Sequence, residues 1–278
     1  MQSHWFSVGP IVPWAQAGVG AVATQANVEV SYGPRALELL RCGVGASAAL
    51  DRLVQEDPGS AGRQVTILDA AGAVAVHTGP SCMPHAGHVT ANGVACQANI
   101  MTSERVWPAM LAAFEAAPGS LTTRLLAAHD GAEQEGGDLR GRQSAAILVV
   151  PGEGREWDSV ISLRVEDHPD PLTELRRLVG LHDVYEIAGR ADELANQERH
   201  DEAARLYRRA GELAPGNPEL RFWAGLAAAQ LGDLDAGVRD VEAAIAAQPG
   251  WRELLERLPA AAAPSAPAVL ARLSAADA

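Results

Sequence analysis

Cysteine, aromatic side chains and basic charge are all scarce in this chain, and each shortage removes a class of function. Cys42, Cys82 and Cys96 are too few and too unevenly spaced for a disulfide framework. No Cys-x-x-Cys pair exists to hold a structural zinc, so reduced thiols in a cytoplasmic protein are the expectation. Aromatics make up 4% of the residues, which leaves Ala, Val, Leu and Ile to fill the core. A formal charge of -13 supplies no basic face for phosphates, arguing against nucleic acid and anionic membranes as partners. Long apolar runs are missing too: no stretch of 18 residues lacks a charge or a breaker, so no membrane span is expected. Met1 is followed by Gln-Ser-His-Trp instead of a basic segment and an apolar stretch, so no secretory leader is expected.

What is present is the balance of a globular protein, 47% hydrophobic and 21% charged, long enough for two domains. Residues 18–25 read as a small-residue strand. A helix is expected to start just after Pro34 and end at Gly43, and a second to run from Ser47, as N-cap, to Gln55. Residues 64–69 and 73–78 alternate as a β-hairpin, and 93–101 is a third strand candidate. Helices over 103–116 and 120–134 and strands over 143–150 and 159–165 follow. This order is not βαβ alternation; it suits a layered sandwich in which each helix pair covers a sheet.

From Pro171 onward the pattern is wholly helical. Pro215 and Pro249 lie 34 residues apart, as do Asp201 and Asp235, and Ala210 and Ala244. Thirty-four is the period of a tetratricopeptide unit. Small residues at Ala203, Ala210, Ala224, Gly225 and Ala244 let paired helices approach closely. The Ala/Pro-rich end, 259–278, carries a short apolar run and is expected to be mostly unstructured, the alternative being a cap on the repeats.

Six strings are specific in combination: SHWFSVG (3–9), PWAQAGVGAVATQA (13–26), SYGPRALELL (31–40), HTGPSC (77–82), GGDLRGRQSAAILVV (136–150) and DHPDPLTELRRLV (167–179). Together they closely resemble the family catalogued as domain of unknown function 1028. The resemblance implies an α+β fold, a four-layer α-β-β-α sandwich like that of the N-terminal-nucleophile hydrolases, over residues 1–182. Tetratricopeptide-like repeats would occupy 183–258 and the Ala/Pro-rich tail 259–278. Relatives begin about 20 residues earlier, on a strand resembling Thr-Phe-Ser-Ile-Val-Ala whose threonine is the natural N-terminal nucleophile. Either a GTG valine codon has been taken as the start at Met1, so that the true protein is longer, or the shorter chain lacks that strand and its nucleophile.

Several residues are candidates for chemistry. Asp138, Arg140 and Gln143 form the densest polar cluster, where a guanidinium can clamp a substrate carboxylate; an Asp–Arg pair at a loop-to-strand junction also simply locks the loop. His4 can lie at the mouth of a site or bond within the sheet. His77 ends a strand that enters a loop holding Cys82, His85 and His88. That loop reads as a cover over a pocket with a histidine for acid–base work, and it lacks the four ligands a closed metal site wants. Asn99, near a strand end, can stabilise an oxyanion or satisfy backbone groups. Asp167-His168-Pro169-Asp170-Pro171 reads as a helix entry, Asp170 as N-cap and Pro171 at N1. No cofactor or metal is expected.

Two functional readings stand. One is an amide hydrolase of the N-terminal-nucleophile type acting on a small amide or peptide. The other is a non-catalytic binding or scaffold protein whose repeats hold a protein, a peptide or a second copy of the chain.

Overall fold

A computed structural model describes residues 1–276. It divides into two compact units, Met1–Leu178 and Val179–Ala278.

In the first unit, β1 (Gln2–Ser3), β2 (Pro13–Gln16) and β3 (Gly20–Ala26) precede α1 (Tyr32–Arg41) and α2 (Ala46–Glu56). Two hairpins follow, β4 (Arg63–Asp69) with β5 (Val74–Thr78) and β6 (Gly87–Ala91) with β7 (Val94–Ala98). Then come α3 (Val106–Ala116), α4 (Leu121–Gln134), β8 (Ser144–Val149), β9 (Ile161–Val165) and α5 (Pro171–Asn196), which runs across the division. Three antiparallel sheets result, ordered β1-β8-β9, β2-β3-β4-β5 and β6-β7.

The alternation of β4 decides how these elements stack, because successive strand residues point to opposite faces. Val65 and Ile67 are buried with Tyr32, Leu37, Leu40, Leu50 and Leu53 under α1 and α2. Gln64 and Thr66 therefore face the other way, beside Gln25 and Ala23 on β3 and Thr78 and Val76 on β5. That second face meets the β6–β7 hairpin, which α3 contacts in turn, while α4 contacts β8.

Three local expectations are corrected and one, the strand over 93–101, is refined. Helix α1 begins at Tyr32, two residues before Pro34, because a proline in the first turn gives up an N–H that has no helical partner anyway. Gly45, not Ser47, is the N-cap of α2, whose Ala46 N–H donates to Asp69 Oδ2 at 3.3 Å. The strand expected over 93–101 is the second arm of a hairpin turning at Asn92-Gly93, where Gly93 takes φ +68°. The tail carries a helix: α10 (Ala266–Ala276) follows α9 (Gly250–Arg257), and its Val269 and Leu273, four residues apart, are buried with Phe222, Leu226 and Val241.

In the second unit α6 (His200–Leu213), α7 (Pro218–Gln230) and α8 (Leu234–Ala247) pack in sequence. Gly225 and Gly237 bring α7 and α8 into backbone contact. A β-carbon on Gly225 would lie 2.8 Å from the Gly237 carbonyl oxygen, and one on Gly237 would lie 2.6 Å from that of Gly225.

Candidate functional site

Three separated motifs meet at one end of the β1-β8-β9 sheet. Ser3 pairs with Ser144, and the Gln143 N–H donates to the Ser3 carbonyl at 3.0 Å. The Gln143 carbonyl accepts from His168 N–H at 2.8 Å, and Gln143 Nε2 donates to Asp167 Oδ1 at 3.1 Å. Ser144 Oγ donates to the Trp5 carbonyl at 2.6 Å. Arg142 bridges Glu133 and Asp170, and Asp170 in turn receives the Thr173 hydroxyl at 2.7 Å at the start of α5. The Thr173 hydroxyl, with Arg142 nearby, holds the Asp170 carboxyl below its usual range.

Asp138 is the centre of this corner. Its side chain is 3% exposed and accepts from Arg140 Nε (3.0 Å), an Arg140 terminal nitrogen (2.8 Å), the Arg140 N–H (2.9 Å) and the His4 N–H (3.3 Å). A buried carboxyl group whose oxygens meet four donors serves as an anchor for the corner, with its hydrogen-bonding capacity taken up inside the protein. Arg140 keeps one edge toward solvent, its side chain 35% exposed. Trp5, Phe6 and Leu139, all exposed, follow His4 and Asp138 in the chain.

A second polar cluster lies between β4 and the β6–β7 hairpin. Gln64 is wholly buried. Its Oε1 accepts from Gln25 Nε2 (2.7 Å) and Asn99 Nδ2 (3.3 Å), while its Nε2 lies 3.0 Å from each of three oxygens, Thr78 Oγ1, Gly87 O and Ala98 O. Thr66 Oγ1 donates to Gln97 Oε1 at 2.7 Å, and Gln97 Nε2 donates to the Ala23 carbonyl at 3.1 Å. Thr78 Oγ1 is also 2.9 Å from His88 Nδ1.

Thr78 leads into a cavity of about 420 Å3, lined further by Gly79, Cys82, His85 and Glu104. Burial pushes the Cys82 thiol up, and it donates to the Arg63 carbonyl. Among the described residues no group of His, Cys, Asp and Glu side chains is arranged to hold a metal ion.

The fold gathers His4, Asp138, Arg140 and Gln143 at the sheet end. Asn99 stands in the buried network, one residue before Ile100, whose carbonyl accepts from Leu139 N–H at 3.0 Å. His77 goes elsewhere. Paired with Val65, it faces the helix side of the sheet, and its Nε2 lies 2.8 Å from the Ser60 carbonyl. None of the six lines the cavity; the loop after Thr78 does. The sequence reading missed Gln64 and Thr66. The available signal was the alternation Gln-Val-Thr-Ile at 64–67, which puts amide and hydroxyl on one face of a strand that has helices on the other.

No helix among the described residues is long and apolar enough to cross a membrane. A comparison with curated proteins returns no match. Among solved structures, the crystal structure of protein SPO2555 from Silicibacter pomeroyi, which carries the same family label, is similar at 29% identity and a TM-score of 0.58, over 64% of this chain and 76% of that one. Residues 1–175 match the model of a family of unknown function, DUF1028, and the chain belongs to that family.

Proposed function

We propose that the first unit is an amide hydrolase built on a four-layer α-β-β-α sandwich of the N-terminal-nucleophile kind. One observation carries the reading: buried amides and hydroxyls tie two sheets together, with helices on the outer side of each. Hydrolases of that kind work between such sheets, with polar groups held out of bulk water, where each hydrogen bond to developing charge counts for more. A fold alone licenses no reaction, so the site has to supply the argument. The Asp138–Arg140 corner supplies a fixed guanidinium edge suited to a substrate carboxylate. The test is a hydrolysis screen on chromogenic amides, run on this chain and on a version preceded by the threonine-led strand of its relatives. Turnover that falls far more in Arg140→Ala than in Arg208→Ala supports the reading; no turnover by either chain removes it.

A second reading rests on the second unit. Helix α8 begins 34 residues after α6, and α7 ends 34 residues after the end of α5, the offset of tetratricopeptide repeats. Tyr207 stacks on Trp223 beside a narrow apolar pocket whose far wall is the chain's own Ala262–Ser265 segment, with Ser265 Oγ donating to the Leu226 carbonyl at 2.7 Å. Such a surface suits a short Ala/Pro-rich peptide. Titrating the chain with a peptide copied from residues 259–266 tests this; binding strengthened by removal of the C-terminal segment supports it.

A further inference from the structure

We propose that Thr78 and His88 form a nucleophile–base pair that takes up an acyl group from small esters, thioesters or amides entering the Thr78–Glu104 cavity. The pair goes beyond the reading above, since it needs no N-terminal nucleophile.

Hydrogen-bond bookkeeping carries the argument. Thr78 Oγ1 is 3.0 Å from Gln64 Nε2 and 2.9 Å from His88 Nδ1. The amide nitrogen of Gln64 can only donate, and its two hydrogens are shared among Thr78 Oγ1, Gly87 O and Ala98 O. The hydroxyl therefore cannot give its proton to Gln64, and His88 Nδ1 is the acceptor within reach. Burial first, and the charge of His77 second, hold His88 below its ordinary value, so a neutral imidazole faces the hydroxyl near pH 7. This is the geometry of a hydroxyl activated by an adjacent base.

The backbone clamps both partners. A β-carbon on Gly79 would sit 2.2 Å from the Ala61 carbonyl oxygen, and one on Gly87 would sit 2.4 Å from the Trp107 ring. The residue after Thr78 and the residue before His88 are thus pressed against fixed neighbours. The Cys82 thiol in the same cavity is a poorer nucleophile, because burial raises it and keeps the thiolate rare. The N–H groups of Met83, His85 and Ala86, on the loop lining the cavity, make no backbone hydrogen bond among the described residues, which leaves donors for a developing oxyanion. A cavity of about 420 Å3 suits a small acyl donor, and Glu104 on its wall disfavours an anionic one.

In the first step Thr78 Oγ bonds to the acyl carbon while His88 Nδ1 takes the hydroxyl proton. The bond to the leaving group then breaks, and the leaving group departs with the proton from His88. Water attacks the Thr78 ester, His88 accepts a proton from it, and return of that proton to Oγ frees the carboxylic acid.

The probe is p-nitrophenyl acetate on the full chain, quenched in acid within seconds, digested and read by mass spectrometry. The chain has no lysine, so competing amine acylation is confined to the α-amine. The expected result is an acetyl group on Thr78, retained at position 78 in Thr78→Ser, absent from it in Thr78→Val, and formed at least about tenfold more slowly in His88→Ala. Circular dichroism checks that each variant is folded, and Thr78→Ser with His88→Ala suffice should Thr78→Val not fold. Acetylation confined to Cys82 or another residue, or a rate unchanged by His88→Ala, overturns the pair. Acetyl-Thr78 without turnover in the amide screen upholds the pair and counts against the amide hydrolase; amide turnover that survives Thr78→Val, with no acetyl-Thr78, does the reverse.

Discussion

Arg140 closes on Asp138 at two points, Nε to Oδ1 at 3.0 Å and a terminal nitrogen to Oδ2 at 2.8 Å. The carboxylate is buried and the guanidinium is not, so the pair is asymmetric in what its loss costs. Arg140→Ala leaves Asp138 with two backbone donors for a desolvated charge, and a loss of roughly 1–3 kcal/mol is expected. Arg208→Ala, on an exposed helical face, should stay within about 0.5 kcal/mol of the parent. Urea unfolding of both variants measures the difference, and equal midpoints would count against a locking role for Arg140.

Gln64 is the second residue whose removal should be costly. Replacing it with leucine keeps the volume but strands the Gly87 and Ala98 carbonyls and the Gln25 and Asn99 amides between two layers. Each unmet buried group costs about 1–3 kcal/mol, so Gln64→Leu should lower stability by more than any single surface change. Thermal unfolding shows it. A melting temperature equal to that of the parent would mean that water replaces the amide.

The dependence of stability on pH has a definite sign. Burial, then the charges of the Met1 amine and Arg176, hold His129 well below its ordinary 6.5. Between its folded and unfolded values the unfolded chain binds the proton first, so stability is lost as pH falls below about 6.5. The Met1 α-amine donates to the Ala146 carbonyl at 2.8 Å, and burial pushes it from 8.0 down to about 5. Its loss has the same sign, spread from pH 8 to 5. His129→Gln should flatten only the part below 6.5, as denaturant titrations from pH 8 to 5 would reveal.

In the second unit, Leu273→Ala removes a buried side chain from the layer formed with Phe222, Val241 and Leu255. A cost of about 2–5 kcal/mol to that layer is expected. Hydrogen exchange should show α7 and α8 opening more readily. Unchanged protection there would separate α10 from the α7–α8 layer.

Much of this architecture could be read from residue order. The 34-residue spacing of Asp201 and Asp235 recurs in the starts of α6 and α8, and Asp170-Pro171 marked the start of α5, because caps and prolines act locally. Asp138, Arg140 and Gln143 were legible for the same reason, lying within six positions of one another, whereas His4 and Asp167 reach the corner from distant segments. What could not be read was long-range. Strands β2 and β6 are short and half-buried, and only pairing with β3 and β7 makes them strands. The Thr78–His88 contact joins strands of different sheets, which no spacing rule anticipates. Helix α10 looked too poor in large side chains to order itself, and it is the apolar floor beneath Val269 and Leu273 that recruits it.

Where Gly225 and Gly237 touch, peptide against peptide, the gap between neighbouring helices is fixed by something missing. One methyl group at either position would lever α8 outward. Because α8 also carries Val241 and Ala244 beneath α10, the displacement would reach the C-terminal helix as well. The tilt of the array and the seating of its last helix are thus governed by the same two hydrogen atoms.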